Sequence, residues 1–198
     1  YGGFSDPFMD GSDPVAQAVD AAVAAGMTIF ISAGNAQNDN LHYSAVVAPN
    51  STSASFTYRV DNSRGQRTYT GVEQLRLIWR DGNPGDANLA LSCTNLNLTE
   101  SFFPGTTNSS VRNTENAVFL LGCFVPAGSV RTYNLRLTNS AANGQSPRVH
   151  VFQDIGGGFF PNADPAYTVT SPALADSAIA VGAWCQSNEW KDYKNNDQ

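Results

Sequence analysis

The chain has 198 residues, which is enough for one large or two small domains with real hydrophobic cores. Charged residues make up only 14% of it and the net charge is −6, which argues against a nucleic-acid partner because phosphate binding needs a basic surface. No stretch is long and apolar enough to cross a bilayer, so we expect no membrane span. The low charge and the many Asn, Ser, Thr and Gly residues are typical of secreted β-rich proteins, and we expect an extracellular location.

A helix followed by a short buried strand is predicted near the start of the chain. Asp13 is a suitable N-cap, Pro14 occupies the favoured first helical position, and Gly26 can end the helix. Residues 27–31 then form an unbroken apolar run, which is typical of a parallel strand covered on both faces. We therefore expect an α/β unit in this part of the chain.

Asn35 follows this strand, at the end of the sequence Ser-Ala-Gly-Asn. Open α/β sheets bind ligands at the carboxyl ends of their strands, so Asn35 is a candidate for a binding or catalytic site. The alternative is a simple turn, because Gly34 and Asn35 both tolerate left-handed backbone conformations. On these residues alone, both interpretations stay open.

The middle of the chain, residues 46–155, shows the period-two alternation of half-buried strands. In one segment, Leu75, Leu77 and Trp79 alternate with polar residues and predict a single apolar face. No amphipathic helix separates these segments, so the pattern predicts an antiparallel β-sandwich of jelly-roll type. The predicted strands are 55–60, 72–80, 87–93, 117–125, 130–137 and 148–152.

Cysteines and acidic turns give few further constraints. Cys93 and Cys123 fall in two predicted strands and are candidates for a disulfide, with two buried free thiols as the alternative. No Cys and His spacing suits zinc, so no metal ligand is predicted. The acidic turn at 81–86 has the oxygen groups that Ca²⁺ binds, but a turn needs the same residues, so calcium stays open and no other cofactor is expected.

A second short strand is predicted near the end of the chain. Ser171 and Pro172 lead, through a loop, into the apolar run Ile-Ala-Val-Gly-Ala at 179–183. Like the run at 27–31, it lacks polar alternation and predicts a buried strand. We expect these two distant runs to be neighbouring strands of one sheet.

The ordered pair of motifs, Ala-Gly-Asn after a buried strand and Ser-Pro-Ala before Ile-Ala-Val-Gly-Ala, resembles the subtilisin-like serine peptidases (subtilases) over residues 1–40 and 165–190. The resemblance implies that Asn35 belongs to the oxyanion hole, where its amide N–H stabilises the tetrahedral intermediate. It also implies that Gly2 and Gly3 bind the substrate backbone at a strand end, with a flexible leader as the alternative.

The resemblance divides the chain into a partial catalytic domain, residues 1–45 plus 156–198, and an inserted β-sandwich, residues 46–155. The expected fold class is therefore an α/β fragment, with a partial parallel sheet and a helix, interrupted by an antiparallel jelly-roll-like sandwich. The sandwich itself resembles prepeptidase C-terminal domains, through Asp-x-x-Leu at 86–89 and Pro-x-Gly at 126–128.

The catalytic triad of the family is missing from this sequence. There is no Asp-Thr-Gly, His-Gly-Thr or Gly-Thr-Ser, and the two histidines, His42 and His150, have no family context. We therefore interpret the chain as an excised part of a peptidase that is inactive alone, while the complete enzyme hydrolyses polypeptide substrates. The hypothesis for the sandwich is an exosite that selects substrates.

Two other functions stay open from the sequence. The sandwich could be a module that binds glycan or protein, with Trp79, Tyr58, Tyr69 or the pair Phe102 and Phe103 as aromatic platforms. It could also be a structural spacer with no ligand. The outward or inward direction of these aromatic side chains distinguishes the two. The oligomeric state is not predicted.

Overall fold

The computed structural model describes residues 7–33, 40–83, 88–141 and 144–182. Of these residues, 47% lie in β-strands and 7% in one α-helix. The expected α/β fold class is therefore wrong, because the described chain is mostly β and its two large sheets are antiparallel. The physical reason is that the parallel pairing involves only three residues of each strand, whereas two-residue alternation runs through most of the chain. No helix among the described residues is long and apolar enough to span a membrane.

The described elements are one helix and twelve strands. In chain order they are α1 (Pro14–Ala24), β1 (Phe30–Ser32), β2 (His42–Val46), β3 (Ser51–Thr52), β4 (Phe56–Asn62), β5 (Tyr69–Trp79), β6 (Leu89–Cys93), β7 (Ser101–Ser109), β8 (Glu115–Val125), β9 (Ser129–Asn139), β10 (Arg148–Ile155), β11 (Gly158–Phe159) and β12 (Ile179–Val181).

Two antiparallel sheets form the predicted sandwich. One has the strand order β2-β10-β5-β8-β7 and the other β11-β4-β9-β3, with β6 also paired to β9. The first strand, β2, lies beside β10, which comes late in the chain, and this is a Greek-key connection as in jelly rolls. All six strands predicted here are present. The sandwich strands run from His42 to Phe159, and the predicted domain boundaries stay a prediction.

The hydrophobic core lies between the two sheets. Leu75, Leu77 and Trp79 of β5 are at most 1% exposed, as the alternation predicts, and Leu135 and Leu137 of β9 are fully buried in the same cluster. Burial of apolar surface is the main driving force for such packing, at about 25 cal/mol per Å². It fixes the register of β5, so that the intervening residues face outward.

The two ends of the chain meet in a separate two-stranded sheet. β1 and β12 pair in parallel, with Phe30 opposite Ile179 and Ser32 opposite Val181. The pairing predicted between these distant runs is therefore confirmed. Backbone hydrogen bonds extend it at both ends, from the Ile179 amide to the Ile29 carbonyl (3.0 Å) and from the Ala33 amide to the Val181 carbonyl (2.9 Å).

The covering predicted for these strands is absent from the described structure. Phe30 is 66% exposed, Ile179 47% and Val181 48%. Parallel strands are normally covered on both faces, so an open parallel pair with apolar side chains is unusual. The helix is also largely open, since Ala16 is its one buried residue in the structure and Val15 is 53% exposed.

The turn between β7 and β8 ties the sandwich to both terminal segments. Arg112 in this turn donates two hydrogen bonds to the Asp176 carboxylate, at 2.8 and 2.7 Å, and one to the Asp10 carbonyl, at 2.9 Å. The Ser110 hydroxyl donates to the Asp10 carboxylate at 2.6 Å. We refer to residues 110–114 as the Arg112 turn.

We expect the substitution Asp13→Ala to lower the free energy of unfolding by about 1–2 kcal/mol. Asp13 is the N-cap of α1, and its carboxylate accepts hydrogen bonds from the amides of Val15 (2.9 Å) and Ala16 (3.3 Å). It also accepts one from the buried Ser171 hydroxyl at 2.8 Å, which the substitution would leave unpaired. Urea unfolding measures the loss. The control Gln17→Ala, on the exposed side of the same helix, should change stability by less than about 0.5 kcal/mol, and equal losses would contradict this account.

Candidate functional site

A cleft lies on the outer face of the β2-β10-β5 sheet, beneath two terminal segments. Its volume is about 860 Å³, within the usual range for small-molecule sites. Residues from β5, β10 and the Arg112 turn form one side, and residues 8–10 and 167–174 form the other. The cleft therefore lies where the sandwich meets the terminal segments.

The alternation of β10 places three side chains in the cleft. Val149 and Val151 are fully buried in the core, so Arg148, His150 and Phe152 lie on the opposite face, and all three line the cleft. Successive residues on one face of a strand are about 7 Å apart, so these three groups form a row.

Both histidines of the sequence meet beside the cleft. His42 Nδ1 lies 3.0 Å from the Asp164 carbonyl oxygen, and His42 Nε2 lies 3.0 Å from His150 Nδ1. A carbonyl oxygen can only accept, so His42 Nδ1 carries a proton and its Nε2 accepts from His150 Nδ1–H. This assignment leaves a lone pair on Nε2 of His150, and no hydrogen bond to that atom is found among the described residues.

Both imidazoles are held in the neutral state. Burial lowers the pKa of His42, although the Asp164 carbonyl and charge oppose this. Burial, then His42 and Arg148, lower the pKa of His150 to about 4. The rings are also packed, since His42 stacks on Phe152 with centroids 4.4 Å apart and Tyr167 meets His150 edge-on at 4.7 Å. Near neutral pH, His150 therefore offers a fixed, neutral hydrogen-bond acceptor.

We expect the stability of the protein to fall as the pH is lowered from about 6.5 to about 4. An unfolded histidine has a pKa of about 6.5, whereas the folded pKa values of His42 and His150 are lower, so the unfolded state binds more protons in this window. The loss should be on the order of 2 kcal/mol. Urea unfolding at half-unit pH steps measures it.

The variant His150→Gln is the control for this pH dependence, and it should flatten the decline between pH 6.5 and 4.5. Three carboxylates also have lowered pKa values, those of Asp10, Asp164 and Asp176. They therefore stabilise the folded protein at neutral pH, and this stabilisation is lost only below about pH 4.5. A wild-type stability that is flat down to pH 4.5 would contradict the prediction.

A serine, histidines and an aspartate lie together here, but they do not form a catalytic triad. The Ser44 hydroxyl donates to the Asp164 carboxylate at 2.6 Å and accepts from Arg148 at 3.0 Å. No imidazole nitrogen bonds to Ser44 among the described residues, so nothing there is placed to take its proton. The arrangement can bind and orient a polar group, and it does not activate a nucleophile.

The cleft carries positive charge in an acidic chain. Three arginines line it, Arg80, Arg112 and Arg148, against one carboxylate, Asp10. Arg112 is already bonded to Asp176, whereas Arg80 and Arg148 have no ion pair within the described ranges. The cleft is therefore suited to an anionic group.

A second cluster is buried inside the sandwich. The Glu73 carboxylate is fully buried and accepts hydrogen bonds from the hydroxyls of Tyr58 (2.5 Å) and Tyr69 (2.8 Å) and from the amides of Gly157 (3.2 Å) and Gly158 (2.9 Å). Burial and the Glu73 charge raise the pKa of Tyr69 to about 12, so its hydroxyl stays protonated as a donor. The Glu73 carboxylate is buried and accepts four hydrogen bonds, and we assign the cluster a structural role.

The site residues predicted from the sequence are not among the described residues that line this cleft. Asn35, Gly2 and Gly3 lie outside the described residues. Cys93 and Cys123 are free thiols, so the structure does not contain the predicted disulfide. The two residues belong to different sheets, and their Sγ atoms lie near other acceptors, Asn95 Oδ1 at 3.6 Å and the Leu121 carbonyl at 3.5 Å.

The aromatic platforms proposed for a binding module point mostly inward. Trp79 and Tyr58 are at most 1% exposed in the core, whereas Phe103 is 58% exposed.

Around the acidic turn, Asp81 accepts hydrogen bonds from the Asn83 amide and the Asn88 side chain, both at 2.9 Å. No group of three or more possible metal ligands is found in the described part of the chain.

No family model matches the chain, and no curated protein matches it in sequence. Among solved structures, the fold is similar to that of the CspB protease of Clostridium perfringens, with a TM-score of 0.59 and 10% sequence identity. The match covers 92% of this chain and 40% of that chain, so this chain spans less than half the length of the protease. At this low identity, the likeness shows a shared fold.

Proposed function

We propose that this chain is part of a secreted subtilisin-like serine endopeptidase. Three observations support the proposal: the ordered subtilase-like motifs, the parallel pairing of the two strands that carry them, and the fold shared with a protease over 92% of the chain. The chain has no triad sequence motif of its own, so we expect it to be inactive alone.

The observation that carries the proposal is the parallel pair β1 and β12. Two runs that are almost 150 residues apart in sequence pair in register, yet their apolar side chains stay open. Such a pair is stable in the middle of a larger parallel sheet covered by helices. A catalytic sheet of a longer protein would supply these neighbours.

Asn35 follows the end of β1 by three residues in the sequence, and in this proposal it acts at the carboxyl edge of the sheet, where open parallel sheets bind their ligands. Its side-chain amide would donate to the oxyanion of the tetrahedral intermediate. Gly2 and Gly3 would let the extended substrate backbone approach closely. The substrate of the complete enzyme is a polypeptide.

The test uses the complete protein that contains this segment. It should hydrolyse an unfolded protein such as casein and should react with a fluorophosphonate, which labels the activated serine of a serine hydrolase. The labelled serine should follow a Gly-Thr motif outside these 198 residues. A complete protein that neither cleaves casein nor takes up the label overturns the proposal.

The sandwich would act as an exosite in this enzyme. It is joined to the chain between β1 and β12, close to the proposed catalytic edge, because residues 42–159 are inserted between these two strands. Replacement of residues 41–161 by a short Gly-Ser linker should change the cleavage of proteins more than that of short peptides. Equal effects on both substrates would contradict an exosite.

A further inference from the structure

We propose that the cleft beneath the terminal segments binds the carboxyl terminus of a peptide that ends in an apolar residue. This binding site is separate from the proposed catalytic function and does not depend on it. Three features of the cleft carry the inference: an apolar wall, unpaired positive charge, and a fixed acceptor for a peptide N–H.

The wall of the cleft is suited to an apolar side chain. Met9, Phe152, Val169 and Leu174 line it from both sides, and the volume of about 860 Å³ exceeds what one side chain fills. Sites of this size usually combine such a wall with a few placed polar groups. The terminal residue of a peptide and its neighbour would both fit.

The arginines are suited to the terminal carboxylate. The Arg148 guanidinium donates one hydrogen bond, to Ser44, and has no acidic partner in the described part of the chain, which leaves donors for an anion. Arg80 lines the same cleft and also lacks an ion pair there. An arginine and a carboxylate form the strongest type of hydrogen-bonded pair in proteins.

One further polar group needs a partner that a peptide supplies. His150 Nε2 is a neutral acceptor, because its other nitrogen donates to His42. The N–H of a peptide would supply the donor that this nitrogen lacks.

These groups distinguish a peptide terminus from a simple carboxylate. A fatty or aromatic acid offers no N–H, so it would leave His150 without a partner. A peptide terminus carries an N–H one bond from the carbon that bears the carboxylate, together with a carbonyl oxygen. It therefore matches the acceptor of His150 and the charge of Arg148 at the same time.

Isothermal titration calorimetry on the 198-residue chain tests the proposal with three probes. N-acetyl-L-phenylalanine should bind. Its neutral amide, which lacks the charge, should bind at least about tenfold more weakly, and 3-phenylpropanoate, which lacks the N–H, should bind several-fold more weakly. No binding of N-acetyl-L-phenylalanine at millimolar concentration, or equal binding of the acid and the amide, overturns the proposal.

Variants locate the binding. Arg148→Gln, at an exposed position, should raise the dissociation constant of N-acetyl-L-phenylalanine at least about tenfold. The matched control Arg136→Gln, an exposed arginine on β9, should leave it unchanged. His150→Phe should remove the preference over 3-phenylpropanoate. An unchanged dissociation constant in Arg148→Gln, with an unchanged thermal midpoint, overturns the assignment, whether or not the complete protein cleaves casein.

Discussion

Replacement of Glu73 by alanine is expected to lower the free energy of unfolding by about 3–5 kcal/mol. The carboxylate is fully buried and accepts four hydrogen bonds, from two tyrosine hydroxyls and from the amides of Gly157 and Gly158. Its removal leaves these donors without partners and opens a cavity. Each unpaired buried donor costs about 1–3 kcal/mol, so this is the largest stability effect that we expect from one side chain.

Two variants separate hydrogen bonding from packing at Glu73. Glu73→Gln keeps the shape of the side chain, but its amide NH₂ faces some of the hydroxyl and amide donors that bond to the carboxylate. It should therefore lower the free energy of unfolding by less than the alanine variant does, but still by at least about 1 kcal/mol. Asp61→Asn, at an exposed carboxylate on β4, should be within about 0.5 kcal/mol of wild type. Urea unfolding monitored by far-UV circular dichroism gives the values. A decrease in the free energy of unfolding of less than about 1 kcal/mol for Glu73→Ala would contradict the structural role.

In the complete protein, Asn35→Ala is expected to reduce kcat by about 10²–10³-fold with little change in KM. This is the loss known for removal of one oxyanion-hole donor in subtilisin itself. The reason is that the amide donates to the charge that develops in the transition state, so that ground-state binding is hardly affected. Steady-state hydrolysis of a chromogenic peptide measures both constants.

The control for Asn35 is Asn38→Ala, three residues further along the sequence, which should retain wild-type kcat. A reduced kcat in both variants would indicate a general disturbance of this part of the chain. If Asn35→Ala retains full kcat, the residue belongs to a turn, which is the alternative that the sequence leaves open.

Strands were predictable where two-residue alternation is strong, and β5 and β9 are the clearest cases. β7 (Ser101–Ser109) was missed because it contains Pro104 and Gly105, which interrupt the pattern. The proline is tolerated because β7 is an edge strand with an irregular register between Pro104 and Thr107. Exposed edge strands of this type lack the burial on which sequence patterns depend.

The candidate cleft could not be predicted from local sequence. His42 and His150 meet because β2 and β10 pair in a register that joins residues 108 positions apart, and no local pattern contains that register.

The burial of Glu73, in contrast, is indicated by the sequence. Glu73 has the same parity as Leu75 and Leu77, which places a carboxylate on the buried face of β5 and so requires buried donors.

The role of the glycines at 156–158 could not be predicted from local sequence either. As a run of three, they suggest a hinge, but the structure places two of their amides on a buried carboxylate. At Gly156, φ is +128°, and an added Cβ would lie 2.1 Å from Glu73 Oε2. Glycine is needed there for close approach, since no side chain fits beside the carboxylate.

The contacts of the Arg112 turn have a consequence for how the protein unfolds. The Arg112 side chain bonds to Asp10, which precedes α1, and to Asp176, which precedes β12. Arg112 itself belongs to a loop of the sandwich. The segment around Asp10 and the segment around Asp176 are therefore attached to the sandwich through the same side chain. Heating should therefore release these two segments together, because both attachments depend on Arg112.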